Sequence, residues 1–156
     1  MGRSGYVERC NDWEWICWRG AVRAAMRGKR GLAFLRELES ALVALPRQRL
    51  IQGELCSEEN GNVDVCAIGS VLLARRLKAG ESPSAAAKAI RVLDPYDAGV
   101  IADEAGIARA MACELAELND EGGGGETDEQ RYERILRYVR AEIDVASQKA
   151  KEEPKK

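Results

Sequence analysis

The feature that most constrains this chain is the dipeptide Asn60-Gly61, set between two short apolar stretches and followed by Cys66-Ala67-Ile68-Gly69 and a further apolar run. Asn and Gly tolerate positive φ at adjacent positions, which the two-residue turn of a twisted hairpin demands. A short hairpin within residues 50–66 is therefore expected, opening directly into a helix. In its first strand, residues 50–55, Ile51, Gly53 and Leu55 would share one face and Leu50, Gln52 and Glu54 the other; in its second, Val63 and Val65 alternate with Asp64. Residues 57–62, Ser-Glu-Glu-Asn-Gly-Asn, read as a solvated turn, because the ligand periodicity and distal glutamate of an EF-hand loop are missing.

The remainder has helical periodicity. Asn11 or Asp12 can cap a first helix in which Trp15, Trp18, Val22 and Met26 form an apolar stripe, Trp13, Cys17 and Ala21 adjoin it, and Arg9, Arg19, Arg23 and Arg27 lie opposite. The three tryptophans are expected in the core, the competing use being a base-stacking or partner-anchoring surface. Gly28-Lys29-Arg30-Gly31 breaks the pattern but lacks the spacing of a phosphate loop. A second helix carries Phe34, Leu35, Leu38, Leu42 and Leu45 and stops at Pro46. A third buries Val71, Leu72, Leu73 and Leu77, with Arg75, Arg76 and Lys78 in its last turn and Gly80 closing it. Ser82-Pro83 and Asp94-Pro95 are cap-and-proline starts for two more. Gly106 divides the second of these from a helix ending at Asn119, expected as a left-handed C-cap. A mobile glycine-rich loop spans 121–126, and Thr127 with Gln130 opens a last helix whose inner face is Tyr132, Ile135, Leu136, Val139 and Ile143.

The fold class is thus mainly α (α+β): a compact helical domain over residues 1–147 with one short hairpin, followed by a charged tail over 148–156. With 46% hydrophobic and 32% charged residues, 156 positions suffice for one core burying about 70% of the unfolded surface, without metal or disulfide. The five cysteines include no CxxC pair, and four stand beside apolar residues as reduced core cysteines do. There is no histidine, so imidazole catalysis and the common zinc sets are excluded for this chain, and neither a metal nor a cofactor is expected. No apolar run approaches a bilayer span and the opening residues are too polar for a secretory signal, so no membrane partner is expected and the cytoplasm is the expected location.

Charge is distributed unevenly. Residues 1–50 carry ten Lys/Arg against five Asp/Glu, whereas the window 94–129 holds eleven carboxylates against Arg109 alone, net −10. Such a block steers basic partners, unless it is an ordinary solvated flank neutralised by the basic opening helices. Within it Ala102, Gly106 and Ile107 match the small residue, turn glycine and following apolar residue of a helix-turn-helix over 101–118, but Glu114 and Glu117 beside a single cation disfavour phosphate. The tetraglycine Gly122–Gly125 lies among acids and makes a poor phosphate cradle.

The order of the WRGAV helix, the GKRG break with FLREL, the LIQGELC…VCAIGSV segment, and LND before a glycine loop and ETDEQRYERILRYV resembles a group of small proteins from tailed phages and prophages. In that group the cysteine segment is often CCLG or CALG where this chain has Cys66-Ala67-Ile68-Gly69, and the turn is shorter than the glycine loop here. The resemblance spans nearly the whole chain and implies a phage accessory protein made in a bacterial cell. Two classes of function follow. The favoured one is a non-enzymatic protein of anti-CRISPR or anti-restriction type that binds a host protein or protein–nucleic-acid complex through Asp103, Glu104, Glu114, Glu117, Asp120 and Glu121. The other is a small enzyme using carboxylates such as Asp64 and Asp120, or Cys66. Nucleic-acid contact by the arginine-rich opening helices or by segment 101–118 is a further alternative, direct nucleic-acid binding being disfavoured.

Overall fold

A computed structural model describes residues 12–152; the lead-in with Arg9, Cys10 and Asn11, and the last four residues of the tail, lie outside it. Among the described residues the chain forms seven helices and one two-stranded antiparallel hairpin: α1 (Asp12–Arg27), α2 (Lys29–Ala44), β1 (Cys56–Glu59), β2 (Asn62–Val65), α3 (Ala67–Lys78), α4 (Pro83–Arg91), α5 (Ala98–Ala105), α6 (Arg109–Asp120) and α7 (Asp128–Glu152). This is the mainly helical fold expected.

Asn60 and Gly61 take φ of 52° and 77°, so the turn is the tight left-handed pair that the dipeptide favours. That turn fixes the register at Glu59↔Asn62 through Cys56↔Val65 and thereby moves the first strand six residues downstream of the expected 50–55. Ser57 to Glu59 are strand, not turn. Residues 50–55 instead form a strap with Gly53 at φ 81°, fastened where Ile51 N donates to Val65 O at 3.0 Å and Cys66 N donates to Leu55 O at 3.1 Å.

The centre of the molecule is the first half of α3. Every residue from Ala67 to Leu73 is buried, and the helix touches α2, α4, α5, α6 and the hairpin. Two glycines permit the closest approaches. A Cβ on Gly69 would lie 2.0 Å from Leu55 O, and one on Gly31 would lie 1.9 Å from Ala25 O, so neither contact leaves room for a side chain. The approach at Gly31, just past the break at Gly28, packs α2 against the end of α1.

Several local expectations hold. Ser82 caps α4 by accepting from Ala85 N, Gly106 closes α5 at φ 72°, and Thr127 and Gln130 exchange the two hydrogen bonds of a capping box, at 2.9 and 3.2 Å. Others are corrected. Asp94 does not cap α5: it accepts from Tyr96 N in a local turn, and Asp97 caps the helix by accepting from Gly99 N and Val100 N. Leu77 is exposed, and α7 runs as helix to Glu152, past the point where a tail was expected. The largest correction concerns α1. Only Val22 and Met26 of its stripe are buried, while Trp13 and Trp15 are 72% and 48% exposed, because α1 meets the body through one narrow edge against α2 and α6.

Candidate functional site

The six carboxylates expected to form one surface are separated by the fold into two groups. On α6 the acids face inward or toward the strap. Glu114 is buried, and both its oxygens accept from Arg19 Nη1, at 2.9 and 2.8 Å, joining α6 to α1. Asn119 is not a C-cap. It is a buried helical residue whose Oδ1 accepts from Ala67 N at 3.0 Å, at the start of α3, and whose Nδ2 donates to Ile51 O at 2.9 Å. Asp120 Oδ1 accepts from Gly53 N at 3.2 Å and from Asn119 Nδ2 at 2.9 Å, while its carbonyl accepts from Gln52 Nε2. The pair Asn119-Asp120 is thus a clamp holding the strap against α3. Glu117 is half-buried and Glu121 is exposed.

The acids around the glycine loop are also matched. Glu126 accepts from Arg134 Nε at 2.6 Å and Nη2 at 3.0 Å, and these paired donors hold its carboxyl below the usual glutamate range of about 4.5. Gly122 lies under this pair, where a Cβ would collide with the Glu126 carboxylate. Asp128 receives Arg49 Nη2 at 2.6 Å and buried Arg131 Nη1 at 2.8 Å, the latter also donating to Leu50 O. The end of the loop is fastened by its acids.

On α5 the arrangement is opposite. Ala98, Ile101, Ala102 and Ala105 turn inward; Val100, Asp103 and Glu104, three and four residues apart, share the outer face. Asp103 is exposed with no hydrogen-bond or ion-pair partner among the described residues, and Glu104 meets Arg76 at 3.4 Å. Just before α5 come Val92 and Tyr96, 78% and 63% exposed, interleaved with exposed Asp94 and Asp97. The outcome is an apolar ridge edged by carboxylates along the turn from α4 into α5. Sequence reasoning missed Val92, Tyr96 and Val100; the available signal was a tyrosine between two aspartates in a proline turn, where no core position is on offer.

The competing chemistries fare as follows. In the helix-turn-helix segment α6 is buried from Met111 to Ala116 and packed by α1, α3 and α5, so the would-be recognition helix has no broad face for a DNA groove. Cys66 is buried as the N-cap of α3, its sulfur accepting from Gly69 N at 3.4 Å. Burial in the hairpin pushes the neighbouring Cys56 thiol up to about 11, with Cys66 adding to the effect, which suppresses the thiolate at neutral pH. Asp64 is tied to Arg47 at 2.6 Å and Arg49 at 3.8 Å. An apolar depression beside the hairpin, lined by Leu45, Pro46, Val63, Leu73 and Leu77, holds 190 Å³, and two larger ones, 420 Å³ beside Arg49 and Tyr132 and 500 Å³ along α7 at Leu136 and Arg140, are open to solvent. Among the described residues no three His, Cys, Asp or Glu converge as a metal site, and no helix is long and apolar enough to cross a membrane.

Comparison with known proteins returns no match: no protein-family model, no curated protein and no solved structure is similar to this chain.

Proposed function

We propose that this chain is a non-enzymatic phage accessory protein that binds a host macromolecule and inhibits or modulates it, in the manner of an anti-restriction or anti-CRISPR protein, using the α4–α5 face. The observation that carries the reading is the exposed Tyr96, with Val92 and Val100, among Asp94, Asp97 and Asp103. Binding energy at interfaces concentrates on aromatic anchors surrounded by a polar rim, and uncompensated carboxylates draw in a basic partner. The sequence resemblance to small tailed-phage proteins supplies the context of a bacterial host. Compared with the surface expected from sequence, the docking patch contracts to α5 and the turn before it, since Glu114 and Asp120 are occupied by Arg19 and by the strap. An enzyme reading has less support, because Asp64, Asp120 and Cys66 each hold an arginine or a main-chain amide.

The test is capture from a bacterial host lysate by the immobilised chain, with bound proteins identified by mass spectrometry. Tyr96→Ala and Asp103→Lys should each reduce the principal captured species by about tenfold, as expected for loss of an anchor and a steering charge. Both should leave the unfolding free energy within about 0.5 kcal/mol, because neither side chain is buried. Capture undiminished by both variants would refute the α4–α5 assignment.

A further inference from the structure

Among the described residues the outward side of α1 is exposed and partly apolar, carrying Trp13 and Ile16. Val22 and Met26 turn to the core, with Trp18, Arg19 and Ala25 half-buried beside them. On the opposite side Trp13, Cys17, Gly20, Ala24 and Arg27 follow one another at spacings of four, three, four and three, all exposed, with Ile16 60% exposed at the flank. That spacing is the seam of a helix pair.

The seam is bulky at its start and small toward its end, which makes it complementary to itself when reversed. Set antiparallel against a second copy with Trp13 opposite Ala24, Cys17 falls opposite Gly20 about the same centre, so both contacts recur on either side of a two-fold axis. Gly20 has open space beyond it in the single chain and admits a close approach. On the flank Ile16 runs along the aliphatic stem of the second copy's Arg23, and Asp12 reaches the guanidinium groups of its Arg23 and Arg27. Parallel alignment has none of this: it stacks Trp13 on Trp13, leaves a gap at Gly20 and opposes Arg27 to Arg27. We propose that this protein forms a two-fold symmetric dimer through antiparallel packing of α1, organised by Trp13 over Ala24, Cys17 over Gly20, and Asp12 against Arg23 and Arg27. The surface is separate from the α4–α5 face and does not depend on it. The overlapping seam, from Asp12 to Ala25 on each helix, is about 21 Å long, so the interface is small and association is concentration-dependent.

Sedimentation of the full chain from about 1 to 300 µM covers the range in which so small an interface titrates. A monomer–dimer equilibrium is expected. Gly20→Leu should raise its dissociation constant at least about tenfold by wedging the helices apart, with helical circular dichroism retained because the new side chain meets open space within the chain. Asp12→Arg should weaken the dimer about threefold, and adding Arg23→Asp should restore it, as the antiparallel flank requires. A monomer across the whole range, or a dimer that Gly20→Leu leaves unchanged, overturns the proposal. So does a monomer whose tryptophan emission shifts to the red on removal of residues 1–11, which would assign the face to the chain's own opening segment.

Discussion

Residues 94–104 and 114–128 are both acidic, with similar densities of Asp and Glu, and a sequence offers no reason to treat them differently. The fold does. In the second stretch arginines stand opposite the carboxylates, two of them from far along the chain, Arg19 of α1 at Glu114 and Arg49 from before the strap at Asp128, and two from the adjoining helix α7, Arg131 at Asp128 and Arg134 at Glu126. There the acids join α1, α6, α7 and the strap into one body. In the first stretch Asp94 and Asp97 serve only their own turns and Asp103 faces water. Glu104 meets Arg76 from α3, so among the described residues Asp103 is the acid of this stretch that meets neither a cation nor a main-chain amide, and the comparison separates α5 from α6 on that ground.

The largest effect should come from the clamp. Asn119→Ala removes the amide and strands Ala67 N and Ile51 O, and two orphaned main-chain groups should cost about 3 kcal/mol in urea unfolding. A loss under about 1 kcal/mol would mean that water reaches both groups and that this stretch is no more structural than α5.

Glu114→Gln should cost about 1–2 kcal/mol. Glu114 is 8% exposed but Arg19 is 42% exposed, so solvent takes up part of the stranded charge and the full penalty of a broken buried pair is not reached. An effect as small as that of Asp103→Lys would erase the distinction between the two helices.

A third expectation concerns acid. Glu126, paired with Arg134, and Glu37, paired with Arg75, are both held below the ordinary value of 4.5 by hydrogen bonds from those arginines, so each titrates lower folded than unfolded. Their stabilisation is complete above about pH 4.5 and is lost as pH falls through their folded values, because the unfolded chain then binds more protons. Thermal unfolding midpoints should therefore decline below pH 4.5, and Arg134→Gln should flatten part of that decline. An Arg134→Gln profile parallel to the parent would show that the Glu126 pair contributes nothing.

Much of the architecture was legible because it depends on neighbours in the chain. Asn60-Gly61, Ser82-Pro83, Gly106 and the Thr127–Gln130 box act within a few residues, and each is found where expected. Some misreadings were local, as when Asp97 and not Asp94 caps α5, but others depend on distant partners. Leu50–Leu55 looked like a strand, yet hairpin register assigned the pairing to Cys56–Glu59. Asn119 has the composition of a helix stop, but Ala67 and Ile51 supply partners for its amide inside the helix. The tryptophans of α1 were assigned to the core on hydrophobicity, although a helix meeting the body along one edge buries Val22 and Met26, packs Trp18 beside them and leaves Trp13 and Trp15 exposed. Of the expected site, Asp103, Glu104 and Glu121 remain on the surface, and the apolar members Val92, Tyr96 and Val100 emerged only from exposure.

The sequence by itself determined the helical class, the hairpin turn and most helix starts, because capping, turn conformation and periodicity are settled by residues a few positions apart. Only the tertiary structure decided which carboxylates are structural and which face water, and that α1 carries Trp13 and Trp15 outside while Trp18 packs against the core. Most of those outcomes turn on a partner that arrives from fifty or more residues away, as Arg19 does at Glu114 and Arg49 at Asp128, and no local pattern encodes that arrival.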